Sequence, residues 1–436
     1  DTESLLSLRG ERIAADTSRR VAIDQDMRSV AERRKNTMLT LIRTGNADKV
    51  LDTAISPADR AQLPVEVQAF VEKRETKTGT YDWLHADYFD TGSSENEYKI
   101  ITPTKSYSVH YTNPQRVPDV TSGDEVRVDG LVFADEAVVV NTEANTEAVV
   151  NESVAADAAA SPTTTKHLAI MLVNFQDDTT QPFTQAQVES TFFTANDSIK
   201  KFYEEGSFGQ WTIDGDIFGY YTLPMNKPTA GGGCTSSYMY SVSSAADAAA
   251  VAAGVNMSSY TNRVYIFPKQ SACSWNGLGT MGGTSRSWLN VVTTSQMLGT
   301  GAHELGHNFN LNHASGYRCT NTGGVAVAYY GGTCSSSAYE YSDPYDVMGN
   351  STYRLHFNGF HKGVNASFGP NWLSSTNVVT LDPNGVGGTY TLKPLGAPTT
   401  GTQVLRIPIS SSEYYYVEFR QPYGVFESFS TALLPA

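Results

Sequence analysis

The sequence predicts an α+β protein in which an N-terminal domain of helices and strands precedes a mixed α/β domain with a β-rich C-terminal portion. Three changes of pattern along the chain support this prediction. Charged, helix-type periodicity covers residues 1 to about 75, and strand-type alternation covers residues 76 to about 140. From residue 167 onward, apolar strands alternate with helices, and short strands dominate after about residue 375.

The N-terminal domain is expected to span residues 1–140. Its helical part contains Ser56 followed by Pro57, a pair typical of a helix start because serine caps the first turn and proline fits within it. Its β part ends with the run SGDEVRVDGLV at 122–132. With 436 residues, the chain is long enough for this domain and a following one each to bury a core.

Residues 141–166 are expected to form a flexible linker. The stretch is rich in alanine, threonine, asparagine and glutamate, and it contains no aromatic residue and no clear apolar period. A segment of this composition is accessible to proteases, so we expect a processing site within it.

The second domain is expected to span residues 167–436. Residues 168–173 form a near-continuous apolar run, which is typical of a central strand covered on both faces. Helices are predicted at about 185–205, 241–253 and 295–309, with strands between them. Strand-like runs at 389–392 and 414–419 account for the β-rich portion.

Composition argues against several classes of partner. The chain has 45 acidic and 31 basic residues and a net charge of −14, which disfavours nucleic acid and anionic membranes. The longest strong apolar run, 168–173, is strand-sized and far too short for a membrane span. We expect a monomer without a membrane span, whose signal peptide has been removed or precedes Asp1.

The four cysteines are Cys234, Cys273, Cys319 and Cys334. An even number without metal-type spacing predicts two disulfides and an oxidising compartment; four reduced cysteines in a cytosolic protein are the alternative. The sequence leaves all three connectivities open. We favour Cys234 with Cys273 and Cys319 with Cys334.

A candidate metal site begins with His303 and His307, which are four residues apart on a predicted helix and so lie one turn above each other. Glu304 lies about 100° around the helix from His303, beside the metal face without having to be a ligand. His313 follows as a third candidate ligand. The apolar residues of the helix form a stripe that we expect to pack inward, comprising Leu298, Ala302, Leu305 and Phe309.

Three protein ligands distinguish a catalytic zinc site from a structural one, which four ligands would close. Zinc lowers the pKa of a bound water and polarises a carbonyl, and a neighbouring carboxylate can move the water's proton to a departing amine. The arrangement therefore predicts peptide hydrolysis, with Zn²⁺ as cofactor and Glu304 as general base and acid. A solvated helix that carries three histidines by chance is the alternative.

The spacing His303-Glu304-x-x-His307-x-x-x-x-x-His313 resembles the long zinc signature of the metzincin metalloproteases. Asn310 stands where those enzymes usually carry glycine. Glycine serves there because the chain turns through a left-handed conformation, and asparagine is the next most tolerant residue. The resemblance implies a metzincin-like catalytic domain.

Metzincins also have a methionine turn beneath the metal, and the segment DPYDVMGN at 343–350 resembles one, with Met348 as its methionine. Asn350 occupies the position where some metzincin branches carry a tyrosine. A tyrosine ligand or oxyanion donor must then come from elsewhere, and Tyr345 and Tyr353 are the candidates.

A narrower resemblance, to the gametolysin family of metzincin peptidases, extends over residues 167 to about 420. The segments that carry it are KFYEEGSFGQ at 201–210, VYIFP at 264–268, WNGLG at 275–279 and FNGFHK at 357–362. The resemblance implies an extracellular zinc endopeptidase that acts on a protein or peptide substrate and is made as a precursor.

The remaining histidines have simpler interpretations. His356 and His361 are expected to form walls of the substrate pocket, because three histidines already fill the protein side of a catalytic zinc site. His85, His110 and His167 stand alone in sequence and are expected to be surface or structural residues. Calcium is a further candidate cofactor, at the acidic turns 214–216 and 382–385, although turn formation alone explains both.

An upstream domain, a linker and a protease form the layout of a zymogen, in which the pro-region acts as the inhibitor. A cysteine switch is excluded because no cysteine precedes Cys234. We expect a carboxylate, from Asp82, Asp87 or Asp90, or simply the bulk of the pro-region, to block the cleft. Each of these residues is otherwise an ordinary surface or turn aspartate.

The sequence thus predicts a secreted zinc endopeptidase made as a zymogen. Two alternatives remain: a non-catalytic zinc-binding adhesion module on the same fold, and a zinc amidohydrolase with a non-protein substrate. The intact Glu304 disfavours the first. A long groove with an exposed strand edge would disfavour the second, because extended peptides bind by adding a strand.

Overall fold

A computed structural model describes most of the chain, and its mixed helix and strand content confirms the α+β class. The described residues are 1–89, 92–112, 120–133, 136–140, 146–148, 164–229, 233–283, 285–316, 319–323, 326–327, 333–334, 340–363, 370–382, 385, 388–410 and 413–427. The chain divides into two compact units, of which the first comprises Asp1–Trp83 with Glu97–Val154, and the second Leu84–Asn96 with Ala155–Ala436.

The first unit begins with five helices. They are α1 (Thr2–Ala14), α2 (Thr17–Arg43), α3 (Ala47–Asp52), α4 (Pro57–Ala61) and α5 (Val65–Gln68). Asp16 caps α2 by accepting from the Arg19 backbone N–H, and Ser56 caps α4 as its sequence predicts. The long helix α2 is fixed by a buried ion pair, because both terminal guanidinium nitrogens of Arg34 donate to the Glu72 carboxylate.

The strands of the first unit follow the helices. They are β1 (Lys73–Tyr88, whose residues to Trp83 belong here), β2 (Ser93–Ile101, from Glu97), β3 (Ser106–Tyr111), β4 (Glu125–Phe133), β5 (Ala137–Val140) and β6 (Thr146–Ala148). The sheet order is β6-β4-β5-β3-β2, and β4 also pairs with β1. Strand β1 starts at Lys73, earlier than predicted, because its first residues are charged and hide the alternation.

The predicted linker is not free of structure. Residues 146–148 form β6, which pairs with Val126, Arg127 and Val128 of β4, and the next strand already starts at Thr164. Side-chain periodicity could not reveal β6, because a three-residue edge strand is defined by its backbone pairing. Its Thr146 hydroxyl shares a hydrogen bond with the Tyr111 hydroxyl. Residues 141–145 and 149–163 of the predicted linker lie outside the described residues.

The second unit contains the remaining regular elements. Its helices are α6 (Gln185–Glu189), α7 (Ile199–Gly206), α8 (Ser236–Ala252), α9 (Thr294–Asn308) and α10 (Gly359–Gly363), with a π-helical turn at Ser190–Thr194 and a 3₁₀ turn at Met257–Ser259. Its strands are β7 (Thr164–Phe175), β8 (Trp211–Leu223), β9 (Asn262–Ile266), β10 (Gly277–Thr280), β11 (Ser285–Leu289), β12 (Cys319–Thr320), β13 (Ala326–Val327), β14 (Thr333–Cys334), β15 (Val378–Thr380), β16 (Val404–Pro408) and β17 (Tyr414–Glu418).

The main sheet of this unit has the order β10-β11-β9-β7-β8, and residues 84–87 of β1 pair with β10. Strands β11, β9, β7 and β8 are mutually parallel, whereas β10 runs antiparallel to β11. As predicted, residues 168–173 are fully buried in the sheet interior. Alternate side chains face two cores: Leu168 and Ile170 pack with residues of α7 and α9, and Ala169 and Met171 pack with residues of α8.

Several predicted boundaries need correction. The helix expected at 185–205 is interrupted at 195–198, where Ser198 caps a new helix, α7. The strand expected at 389–392 is absent from the described residues there, and Val404–Pro408 pairs with β17 instead. Tyr390 in that segment is exposed, so its alternation reflects no buried face.

Both favoured disulfides are present, Cys234 with Cys273 and Cys319 with Cys334. The second closes the small sheet β13-β12-β14 directly after the third histidine. Among the described residues, no helix combines the length and the apolar character that crossing a bilayer requires.

Candidate metal centre

Helix α9 carries the first two histidines. Thr293 caps it by accepting from the Gln296 backbone N–H, and the helix ends at Asn308. Asn310 has a φ of 66°, which is the left-handed conformation predicted for the position where metzincins usually carry glycine. This reversal turns the chain back, so that His313 approaches His303 and His307, with ring centroids 5.2 and 4.9 Å away.

Each of the three rings is oriented by a hydrogen bond from its Nδ1. His303 donates to the Val347 carbonyl, His307 to the Leu311 carbonyl and His313 to the Glu340 carboxylate, each at 2.8 Å. Carbonyl and carboxylate oxygens only accept, so Nδ1 carries the hydrogen and Nε2 is directed to a common point. The Nε2 atoms of His303 and His307 are buried and have no hydrogen-bond partner within the described residues.

Asp87, on β1, occupies that common point. Its Oδ1 lies 2.6 Å from His313 Nε2 and 3.4 Å from His303 Nε2, and its Oδ2 lies 3.4 Å from His307 Nε2. Burial opposes ionisation of this carboxyl, but the surrounding histidines hold the pKa of Asp87 well below its usual value. Burial lowers the pKa of His307 to about 4, so this ring is neutral at physiological pH and is a competent ligand.

The backbone of β10 presents Asp87 and makes room for Glu304. Residues 84–87 run antiparallel to β10, with Asp87 opposite Gly277 and His85 opposite Gly279. A Cβ on Gly277 would lie 1.8 Å from Glu304 Oε1, and one on Gly279 would lie 2.9 Å from Oε2. Glu304 is fully buried, and burial together with the charge of Asp87 raises its pKa well above the usual value.

The methionine turn lies against α9. A Cβ on Gly306 would lie 2.4 Å from Met348 Sδ, so glycine in the last turn of α9 permits this packing. The turn is fixed by Asp346, whose Oδ1 accepts from the Met348 backbone N–H and whose Oδ2 accepts from His361 Nδ1. His361, expected at the pocket wall, is therefore buried support for the turn.

The other pocket candidates are His356, Tyr353 and Tyr345. His356, expected at the pocket wall, is fully buried between Phe202 and Phe426, with its Nε2 donating to Glu205. Tyr353 is 42% exposed, and the Tyr345 backbone N–H donates to Asp343. These residues are close to Met348 in sequence, but closeness in sequence does not determine the direction of a side chain.

Tyr341 is a tyrosine whose side chain reaches Asp87 and His313. Its hydroxyl donates to Asp87 Oδ1 at 2.6 Å, and its ring centroid lies 4.1 Å from that of His313. Burial and the neighbouring Asp87 raise the pKa of Tyr341, so its hydroxyl remains a donor. In the sequence, the feature that could have pointed to Tyr341 is its place in the loop between the third histidine and the methionine turn.

His85, for which the sequence predicted only a surface or structural role, is buried beside His313. It is 4% exposed, and its Nε2 lies 3.2 Å from His313 Nε2. His110 is partly buried, and burial lowers its pKa; His167 pairs with Asp214 on the surface.

The two other latency candidates are Asp82 and Asp90. Asp82 is a half-buried residue of β1 in the first unit, and Asp90 lies outside the described residues. Of the calcium candidates, Asp216 accepts from the Tyr260 hydroxyl, and positions 383–384 are not described. Among the described residues, the groups with three or more potential ligands all contain Asp87, and none contains Asp214 or Asp216.

The site brings three imidazoles together beside Glu304, a buried carboxylate of α9, and such a set of groups is typical of metallopeptidases. Residues 168–353 match the family model described as Gametolysin peptidase M11, and the match includes the three histidines, Glu304 and Met348. This match supports a gametolysin-like metalloprotease, and the family that it describes is one of metalloendopeptidases, which are hydrolases that act on proteins. No curated protein matches the chain.

Proposed function

We propose that this chain is the latent precursor of a secreted zinc endopeptidase, in which Asp87 blocks the catalytic metal centre. The observation that carries the proposal is the position of the Asp87 carboxylate, at 2.6 to 3.4 Å from the Nε2 atoms of His303, His307 and His313. A buried carboxylate among three imidazoles is the donor set of a zinc ion with a fourth protein ligand.

The donor separations fit zinc. Two donors that are each about 2.1 Å from one zinc ion at tetrahedral angles lie roughly 3.4 Å apart. Asp87 lies 3.4 Å from two of the three Nε2 atoms. The shorter 2.6 Å separation from His313 is a direct hydrogen bond that a shared ion would lengthen. Imidazole nitrogen favours zinc over calcium or magnesium, which prefer oxygen.

Zinc, when bound, supplies the positive charge that polarises a scissile carbonyl and acidifies a nearby water. Glu304 then accepts the proton from the attacking water and delivers it to the departing amine. Burial is the largest cause of its raised pKa and suits both transfers, because a carboxylate with a raised pKa is a stronger proton acceptor. The glycines at 277 and 279 keep its carboxylate beside the histidines.

Tyr341 supplies a hydrogen bond to the carbonyl oxygen of the substrate. In the latent chain, its hydroxyl donates to Asp87 Oδ1, the oxygen nearest to His313 Nε2. Once Asp87 leaves, the same donor is directed at the oxygen on which negative charge develops. Tyr341 thus assumes the role for which Tyr345 and Tyr353 were candidates.

The substrate binds as an extended strand along β10. Residues 84–87 already occupy this edge as an antiparallel strand, which places a side chain at the histidines and blocks the edge. A peptide that took the same place would bring its backbone to the metal centre. This edge pairing favours an endopeptidase over an amidohydrolase of non-protein substrates, and the space made for Glu304 disfavours an adhesion module.

Activation follows from cleavage within residues 141–166, after which the pro-region, residues 1–140, releases the mature protease that begins near residue 167. The linker-like composition of this segment supports cleavage within it, and the absence of cysteine before Cys234 supports a carboxylate-based latency. The two disulfides support secretion, because such bonds persist in oxidising compartments.

The test is controlled proteolysis of the zinc-loaded full chain, with N-terminal sequencing and peptide hydrolysis measured in the same samples. We expect activity to rise as cleavage within 141–166 proceeds, to vanish with a chelator and to return with zinc. Full activity of the intact chain would contradict latency. Activity that survives chelation and metal depletion would contradict the proposed mechanism.

A further inference from the structure

His85 is a buried histidine at the metal centre that the proposed mechanism does not use. It precedes Asp87 by two residues on β1, so both side chains emerge from the same face of the strand. Its Nε2 lies 3.2 Å from His313 Nε2 and 3.6 Å from Asp87 Oδ1. Its ring centroid lies 4.5 Å from that of His307.

The hydrogen bonding of His85 matches that of the three ligand histidines. Its Nδ1 donates to the Asn96 side-chain oxygen at 2.6 Å, which directs Nε2 toward the centre. All four imidazoles therefore have Nδ1 bound to an oxygen and Nε2 facing inward. Such an outer hydrogen bond is what orients a metal-binding histidine.

The inward-facing atoms together form a set of potential metal ligands. The Nε2 atoms of His85 and His313 and the Oδ1 atom of Asp87 meet within 3.6 Å of one another. A proton between the two imidazoles and the Tyr341 hydroxyl on Asp87 satisfy these atoms only in pairs, whereas one metal ion can bind all three at once. His85, Asp87, His307 and His313 each offer a ligand atom, and all of these atoms lie within 4.8 Å of one another.

We propose that His85 and Asp87 bind the catalytic metal together, so that the latent chain holds the ion with four imidazoles and one carboxylate. This inference rests on the proposed zinc-dependent function. The segment His85-Ala86-Asp87 is then a two-point chelator built into a strand. It blocks the substrate position and retains the ion before activation, and its departure opens two coordination positions at once.

X-ray absorption spectroscopy of the zinc-loaded full chain tests the ligand set. We expect four imidazoles and one carboxylate in the unaltered protein, three imidazoles in His85→Ala and four imidazoles in Asp87→Ala. His167→Ala, which removes a surface histidine paired with Asp214, is the matched control and should leave the ligand set unchanged.

Chelator competition on the same samples tests metal retention. We expect His85→Ala to weaken zinc binding by roughly tenfold or more, the scale of losing a supporting interaction at a metal site. His167→Ala should bind zinc as the unaltered protein does. Equal zinc affinity in His85→Ala and the unaltered chain overturns the inference.

The two proposals fail in distinguishable ways. Three imidazoles and one carboxylate in the unaltered chain overturn the role of His85 and leave latency through Asp87 intact. Three imidazoles with only solvent oxygen overturn both. Because the unaltered protein decides this point, a folding defect in His85→Ala cannot obscure the answer.

Discussion

The Tyr341 hydroxyl lies 2.6 Å from Oδ1 of Asp87, the same oxygen that approaches His313 Nε2 to 2.6 Å. One carboxylate oxygen thus accepts a hydrogen bond from a phenol and also contacts an imidazole nitrogen, in a fully buried site. Charge-assisted hydrogen bonds of this kind are about twice as strong as neutral ones. Asp87 is therefore held at the centre by more than the pairing of its backbone with β10.

Replacing Asp87 tests this hold. We expect Asp87→Ala in the full chain to raise hydrolysis of a short fluorogenic peptide at least about tenfold, which corresponds to ~1.4 kcal/mol of lost inhibition. The activation remains partial because His85 and the strand pairing persist. Asp82→Ala, on the same strand, is the control. Activation by Asp82→Ala alone would assign latency to that residue instead.

The role of Tyr341 predicts a loss of turnover. In the processed enzyme, Tyr341→Phe should lower kcat by roughly 10²- to 10³-fold, the scale of losing one donor to a developing oxyanion. KM and zinc content should change little, because the ring and the histidines stay in place. Tyr345→Phe serves as the comparison and should retain activity. A large rise in KM with kcat unchanged would instead indicate a substrate-binding role.

The parts of the fold and of the site that could be predicted from sequence are those whose residues lie close together along the chain. Spacing within one helix fixed His303, Glu304 and His307, and the predicted helix 295–309 matches Thr294–Asn308 closely. The left-handed Asn310 was also predictable, because that conformation has a strong residue preference. The central strand at 168–173 followed from its continuous apolar run.

The contacts that complete the centre could not be predicted in this way. His85 meets His313 across 228 positions, and Tyr341 meets Asp87 across 254. No local pattern encodes such a meeting, which depends on the pairing of β1 with β10. In the sequence, Asp87 is one of three candidate aspartates near an aromatic stretch. Only the strand register shows that it lies opposite Gly277.

The space beside Gly277 predicts the effect of a single methyl group. In Gly277→Ala, the added Cβ would lie 1.8 Å from Glu304 Oε1, so the carboxylate must move. We expect the processed enzyme to lose roughly 10²-fold or more in kcat, within the range for a displaced general base, while it keeps its zinc. Gly388→Ala, whose added Cβ would come no closer than 3.4 Å to another atom, is the control in the same enzyme and should be neutral. Normal turnover in Gly277→Ala would indicate that Glu304 relocates without consequence.

Glu304→Gln separates chemistry from metal binding. The amide keeps the shape of the side chain but cannot accept the water's proton, so we expect the processed variant to lose at least roughly 10³-fold in kcat. Zinc content, measured by elemental analysis, should equal that of the unaltered enzyme, because Glu304 is not a ligand. Appreciable residual turnover would remove Glu304 from the role of general base.

The buried pair of His356 and Glu205 predicts an acid-sensitive region away from the metal. Burial lowers the pKa of His356 to about 4. Burial opposes ionisation of Glu205, but hydrogen bonds from His356 and from the backbone of Val425 and Phe426 bring its pKa to about 2. Lys362 and Arg420 also face His356 and disfavour its charged form.

The direction of the pH effect follows from proton binding. Between pH 6.5 and about 4, the unfolded chain binds a proton at His356 that the folded chain does not, so stability falls as the pH falls, by up to roughly 3 kcal/mol. Glu205 adds a loss only below its unfolded pKa near 4.5, as the pH falls toward about 2. Denaturant unfolding of the full chain at pH 7.0 and 4.5 measures the first effect.

His356→Gln should flatten this dependence, since its unfolded state no longer binds the extra proton. His167→Gln, which removes one partner of an exposed ion pair, should leave the pH dependence of the unfolding free energy unchanged. The contribution of the metal centre is the same in both variants, so it does not affect the comparison. Glu205→Gln should cost roughly 1–3 kcal/mol at pH 7, because three buried or half-buried donors lose a charged acceptor. If His356→Gln kept the full pH dependence, the buried neutral histidine would not be its source, and the metal-binding histidines would have to account for it.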